Sequence, residues 1–206
     1  MFNQAAAIGV DIGRNTIKIA VVKIHGEVIA AKSYPLDHPQ SRDYIIAKLL
    51  QAIREIRQTV APGGVNPICV GTAAKGFIDH NSGIVIGPDQ GIEGWTNVPL
   101  AKIINQEIGL PAYVGNDANM MTIAEHRFGA ARGFNNIIFV ALRTGIGGGM
   151  SEANDSYLRM IKESAFSNSL ENCRSEVKIE RAHLGSSASL LGSAYYGMTR
   201  LTGKSI

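Results

Sequence analysis

The sequence predicts an α/β fold built on a mixed sheet, and three observations lead there. Apolar strand-like runs cover 5–12, 16–23 and 27–34, and the last two are split by the two-residue turn His25-Gly26, the pattern of an antiparallel hairpin. From residue 41 onward, helix-like and strand-like segments alternate, which calls for strands joined by helical crossovers. Three loops that follow strands, at 11–16, 115–119 and 143–149, lead with glycine or an acid.

Taken in order, 5–12 reads as a buried strand ending on Asp-Ile-Gly. "TIKIAVVK" (16–23) alternates enough for a half-buried strand, and "EVIAAKSY" (27–34) is its hairpin partner. In 41–64, Ile45, Leu49, Ala52 and Ile56 form one helical stripe, with Ser41 to cap the start and Pro62-Gly63-Gly64 to stop it. "NPICVGTAA" (66–74) is a strand running into a glycine-containing loop. "VPLAKIINQEIG" (98–109) is a short helix ended by Gly109, and "PAYVGN" (111–116) is a strand. "DANMMTIAEHRFGAARG" (117–133) is a helix closed by Gly129 and Gly133, followed by a buried strand in "NNIIFVALRTG" (135–145). Beyond residue 150 the pattern gives a helix over about 153–166 and a strand at 177–181. A helix rich in small residues, "SSASLLGSAYYGMTRL" (186–201), ends the series.

A chain of 206 residues can form one large domain or two small ones, either with a substantial core. Hydrophobic content of 45% and charged content of 18% are those of a soluble globular protein. The net charge of +3 is small and its Lys and Arg residues are scattered, which argues against nucleic acid as the main partner. No apolar run reaches the roughly 20 residues that a membrane span needs, and "MFNQAAAIGVDIG" lacks the basic start and cleavage site of a signal peptide. The two cysteines, Cys69 and Cys173, lie far apart, so a reduced, cytoplasmic setting is expected. None of the five histidines joins a Cys/His cluster, so no zinc site is expected.

The three loops carry the chemistry. In "DIGRNT" (11–16), Asp11 at a strand end can hold hydrated Mg²⁺ while backbone N–H groups face phosphate; a plain Asx-type turn reads equally from those letters. In "GNDAN" (115–119), Asp117 stands at a helix N-terminus, as an N-cap or as a functional carboxylate. The glycines at 145–149 cost ordering entropy, and close backbone approach to an anion is one reason for them; a flexible surface turn is the other.

Together and in this order, the segments resemble the ROK family of sugar kinases and sugar-responsive repressors. "GVDIG" with "IKIAVV" matches its first phosphate loop, and "GFID", "SGIVI" and "GWTNVPLA" match its sugar side. The stretch from "GLPAYVGNDANMMTIAEHRFGAARG" to "RTGIGGG" matches its most diagnostic segment, and "EVKIERAHLGSSASLLGSAYYGM" matches its ending. The resemblance implies the actin-like ATPase (ribonuclease H-like) fold, with two α/β domains and ligands in the cleft between them. It further implies a first domain at 1–115 and an incomplete second at 116–206, with the helix at 186–201 packing back on the first. It implies ATP-dependent phosphorylation of a hexose or N-acylhexosamine, glucokinase-like, in a homodimer, with a non-catalytic sugar-binding or regulatory relative as the other reading. With the first phosphate strand at the start of the sequence, a DNA-reading helix-turn-helix domain is not expected.

Carried over residue by residue, the resemblance makes Asp117 the general base. Asn116 hydrogen-bonds the sugar and Gly76 lines its pocket. Asp11 and Gly13 lie by the Mg²⁺ and phosphates of ATP, with Asp11 toward the metal. Thr144, Gly145, Gly147, Gly148 and Gly149 complete the nucleotide contacts. Several positions depart from the family pattern: Arg14 and Arg143 stand for glycines, Asn15 for a threonine, Lys75 for a proline and Gly91 for an asparagine. The largest departure is at 144–153, "TGIGGGMSEA". There the family's phosphate-loop glycines run straight into a second, normally distant, Ile-Gly-Gly-Gly segment that opens a helix. The block between them, with a Gly-Glu-x-Gly-His sugar segment and a cysteine-rich zinc motif, is missing, as a deletion between two short repeats would leave it. Phosphotransfer by this chain is therefore expected to be weak or absent, and apolar surface on "NNIIFVAL" is expected to lose its cover.

Overall fold

The computed structural model describes residues 5–87, 91–140, 155–167 and 178–203. In chain order the elements are β1 (Ala6–Ile12), β2 (Thr16–Lys23), β3 (Val28–Pro35), β4 (Gln40–Ser41), α1 (Arg42–Val60), β5 (Val70–Ala74), β6 (Ile78–Asp79), β7 (Ile84–Val85), β8 (Ile92–Glu93), α2 (Leu100–Ile108), β9 (Ala112–Asn116), α3 (Asp117–Phe128), α4 (Asp155–Ser167) and α5 (Ala188–Thr202). Five strands form one mixed sheet in the order β3-β2-β1-β5-β9. The first three are an antiparallel meander, with Asp11 opposite Lys18 and Ile19 opposite Lys32. β5 and β9 run parallel to β1. β4 pairs with β8, and β6 with β7, in two small outlying ladders.

The helices cover both faces. Ile45, Leu49, Ala52, Ile53 and Ile56 of α1 are fully buried, the face that a 3.6-residue period predicts. The Ser41 hydroxyl accepts the Tyr44 N–H to cap the helix. With Leu100 and Ile104 of α2 they meet Ile8, Val10 and Ile12 of β1 and Ile17, Ile19 and Val21 of β2 in the main core. On the opposite face, α3 and α5 pack over Ala7, Ala20, Val22 and Cys69.

That second face is unusually close-fitting. A Cβ added at Gly9 would run into the Leu190 carbonyl, and one at Gly71 into the Ser193 carbonyl. Glycine at both places lets α5 lie directly on the sheet, where Ser193 Oγ donates to the Val10 carbonyl at 3.1 Å. The run of small residues in the last helix thus has a packing reason.

Several boundaries differ from the sequence expectation. The 66–74 strand is laddered only over Val70–Ala74. The helix expected over 117–133 ends at Phe128, because the Ala130 N–H turns back to Glu125 Oε2 at 2.8 Å. Of the buried strand expected at 135–145, residues 135–140 are described and make no ladder; Ile138 is 92% exposed and Val140 68%. The strand expected at 177–181 is likewise not laddered over its described residues, 178–181. Both runs have strand-like letters, but a strand exists only when a neighbour completes its hydrogen bonds. Among the described residues, none of the three sheets includes either run.

Candidate functional site

The parallel strands set the site. Asp11 on β1, Ala73 on β5 and Gly115 on β9 stand side by side, and Ala74 pairs with Asn116. The three carboxyl ends therefore lie on one sheet edge, with adjacent strands about 4.8 Å apart. From β1 the chain turns toward β2, while β5 connects onward to β9 on the other side. The carboxyl edge where connections diverge this way is where open α/β sheets bind ligands.

The loop after β1 is a tight turn held from behind. Gly13 N–H donates to the Thr16 carbonyl at 2.9 Å. The Arg14 carbonyl accepts from Gln40 Nε2 at 2.7 Å and the Asn15 carbonyl from the Leu36 N–H at 2.9 Å. Gln40 is 4% exposed, so the first loop rests on a buried amide. Arg14 itself is exposed.

The loop after β5 turns at Gly76, whose φ of +94° is one that L side chains resist. Its carbonyl accepts from Asn116 Nδ2 at 3.0 Å. The next residue, Phe77, is 77% exposed and leads into the β6–β7 hairpin. At its tip the Ser82 hydroxyl and the Asn81 N–H both donate to Asp79 and hold its carboxyl below the usual range, the hydroxyl contributing most.

The loop after β9 is a helix start. Asn116, not Asp117, is the N-cap of α3: its Oδ1 accepts the N–H groups of Ala118 and Asn119 at 2.9 and 3.4 Å. Asp117 is the first helical residue, with Oδ1 2.9 Å from the Ala118 N–H, where the helix dipole favours an anion. Asn116 thus has two tasks, capping α3 with its oxygen and tying the Gly76 loop with its nitrogen. An amide nitrogen carries two hydrogens, so one donor remains beyond the bond to Gly76.

Asp11, Gly13, Gly76, Asn116 and Asp117 are therefore brought to one edge. Thr144, Gly145, Gly147, Gly148 and Gly149 lie outside the described residues. Among the described residues, no three His, Cys, Asp or Glu side chains form a metal-binding group. Cys69 is fully buried under α5, and burial pushes its thiol up to about 12, far from reactive at neutral pH.

Two buried polar residues, Gln40 behind the first loop and Glu125 at the far end of α3, were not legible as supports. Gln40 gives no periodic signal in "DHPQS". Glu125 reads as an ordinary helical charge in "AEHRFG", yet it is 3% exposed and accepts from three backbone N–H groups. These are Ala130 at 2.8 Å, His183 at 3.1 Å and Leu184 at 2.7 Å. It joins the end of α3 to the segment that leads into α5. A Glu one place after buried Ala124 on a helix is the signal that could have flagged it.

The sequence profile of the ROK family matches residues 7–158, a span that holds the three strand ends just described. The chain belongs to the ROK family. A glucokinase of Streptomyces coelicolor is 31% identical over 148 residues, covering 71% of this chain and 44% of that protein. A xylose repressor of Bacillus spizizenii is 31% identical over 162 residues, covering 76% and 40%. Among solved structures, a ROK family glucokinase from Streptomyces griseus in complex with glucose and AMPPNP matches with a TM-score of 0.55 and 30% identity. That match covers 63% of this chain and 38% of the other. The chain thus spans about two-fifths of the length of these relatives. Its sheet is that of the actin-like ATPase fold of ROK sugar kinases, with the second domain incomplete.

Proposed function

We propose that this ROK chain carries the sugar side and first phosphate loop of an ATP-dependent kinase acting on a hexose or N-acylhexosamine. The observation that carries the reading is the meeting of Asp11-Gly13, Gly76 and Asn116-Asp117 on the carboxyl edge of three adjacent parallel strands. Residues 1–115 supply the sheet of the first lobe, α3 and α5 pack over one face of that sheet, and the rest of 116–206 is what is present of the second. The glucokinase bound to glucose and AMPPNP supports a sugar and ATP as ligands.

In this reading the Asp117 carboxylate accepts the proton of the attacking sugar hydroxyl. Asn116 offers its remaining Nδ2 hydrogen to a second hydroxyl, and the left-handed turn at Gly76 lets the sugar approach backbone. Asp11 and Gly13 face the phosphates, with Thr144, Gly145, Gly147, Gly148 and Gly149 as the second nucleotide loop. Mg²⁺ neutralises phosphate charge when bound. A single hard carboxylate such as Asp11 suits a largely hydrated ion carried on the nucleotide, and no dedicated cage is present among the described residues. The family resemblance supports a cytoplasmic homodimer as the working assembly.

A second reading, a sugar-binding regulatory relative without phosphotransfer, is favoured by the likeness to the xylose repressor and by Arg14 and Gly91, which depart from the family pattern. Calorimetric titration with glucose and with MgATP, alongside a coupled assay for sugar phosphate, separates the two. Under the kinase reading, any phosphotransfer of the chain falls by roughly 10²-fold or more in Asp117→Asn, with an unchanged melting temperature. Equal rates would remove Asp117 as the base, and glucose binding with neither MgATP binding nor phosphotransfer would favour the regulatory reading.

A further inference from the structure

Phe77 is out of place by ordinary packing rules. It is 77% exposed, while Trp95 nearby in sequence is buried to 1%. Its ring is nevertheless not loose. The Phe77 carbonyl accepts the Ile86 N–H at 2.8 Å and the Gly87 N–H at 3.4 Å, which fixes its backbone to the returning arm of the β6–β7 hairpin. The ring lies against Gly87, where an added Cβ would stand 2.7 Å from Cδ2. One large aromatic side chain thus stands on a fixed backbone, beside Gly87 and mostly in solvent.

Its position gives the face a use. Phe77 follows Gly76, with its Cα about 3.8 Å from that of Gly76, and the Gly76 carbonyl is bonded to Asn116. A pyranose has a rim of hydroxyls and two faces of C–H bonds. The rim needs hydrogen-bonding groups such as Asn116 and Asp117. A C–H face, carrying slight positive charge, is attracted to the negative face of an aromatic ring. Ile86, 48% exposed and bonded to the same backbone, widens the apolar patch.

We infer that Phe77 is a sugar-contact residue, a stacking platform for the C–H face of a pyranose whose hydroxyls are read by Asn116 and Asp117. This rests on the sugar-binding reading above. A ring presented in this way selects for ligands with an unbroken axial-hydrogen face, glucose-like rather than charged or open-chain.

Glucose titration of the 206-residue chain, wild type against Phe77→Ala, Phe77→Leu and Phe77→Trp, tests it. Phe77→Ala weakens the glucose Kd about threefold to tenfold; Phe77→Trp keeps or tightens it. All three variants keep the wild-type melting temperature, since the side chain is mostly in water. Saturating the aromatic protons transfers magnetisation to the glucose ring protons in wild type and Phe77→Trp, and this transfer drops in Phe77→Leu, a change that lost packing alone would not produce. Equal Kd in wild type and Phe77→Ala would overturn the platform and leave the sugar reading intact. Absence of glucose binding to the wild type would overturn both.

Discussion

Residues 5–128 and residues 134–183 carry similar letters, apolar strand-like runs with helix-like segments near them, yet they end in different states. In the first region the apolar strands of the main sheet find neighbours, and Ile8, Ile17, Ile19 and Val114 are fully buried. In the second, Ile138 and Val140 stand in solvent and the described residues make no ladder. The difference is the presence of a partner. Alternation and β-branched residues express a capacity to pair; burial and hydrogen bonds come from the neighbour that completes them.

The sharpest way to break this contrast is inside the packed region. A Cβ at Gly71 would meet the Ser193 carbonyl, so Gly71→Ala must lift α5 from the sheet. The expected loss is roughly 3 kcal/mol, a fall in Tm of roughly 6–12 °C for a chain of this size, read by thermal denaturation. An unchanged Tm would mean that α5 does not rest on β5.

Glu125 joins the two regions, because it holds the N–H groups of His183 and Leu184 from within α3. Glu125→Ala leaves three part-buried donors without this acceptor and is expected to cost about 2 kcal/mol. Amide exchange at Ala130, His183 and Leu184 should accelerate together. Acceleration at Ala130 alone would show the joint to be unimportant.

A smaller effect, of opposite sign, is expected at Thr72. Its hydroxyl is fully buried and has no hydrogen-bond partner among the described residues, a cost that a methyl of the same shape removes. Thr72→Val should raise stability by about 1 kcal/mol in denaturant titration; destabilisation would show that the hydroxyl is satisfied in solution.

The least effect belongs to the second region. Ile138→Asp changes a side chain that is 92% exposed, so stability should move by less than about 0.5 kcal/mol. Concentration-dependent association in light scattering should fall, since an uncovered apolar run favours it. A loss as large as that at Gly71 would show that 135–140 is packed after all, and the contrast would fail.

Much of the first region is legible in the order of its amino acids. The α1 stripe, the Ser41 cap, the His25-Gly26 hairpin and the stop at Gly109 rest on local periodicity and turn chemistry, which act within a few residues. Loops 11–16 and 115–119 are legible as strand-end loops and candidate sites for the same reason. The division of labour inside the second loop is not. Choosing Asn116 over Asp117 as the cap depends on where the backbone enters the helix, a matter of one residue's φ and ψ. The Gln40 support and the Glu125 clamp escape as well, because each bonds groups distant in sequence, from 26 residues for Gln40 to 59 for Glu125.

By itself, the sequence determined the five strands of the main sheet and the placing of α1, α2 and the start of α3, the mixed α/β class, and the acid-and-glycine loops that mark a ROK relative, since all of these are coded by spacing within short windows. Only the tertiary structure decided that α5 lies on Gly9 and Gly71, that Asn116 caps α3 while holding Gly76, and that 135–140 remains an unpaired run. Each of those outcomes depends on whether a distant piece of chain arrives to complete a contact, and spacing within a short window cannot state that.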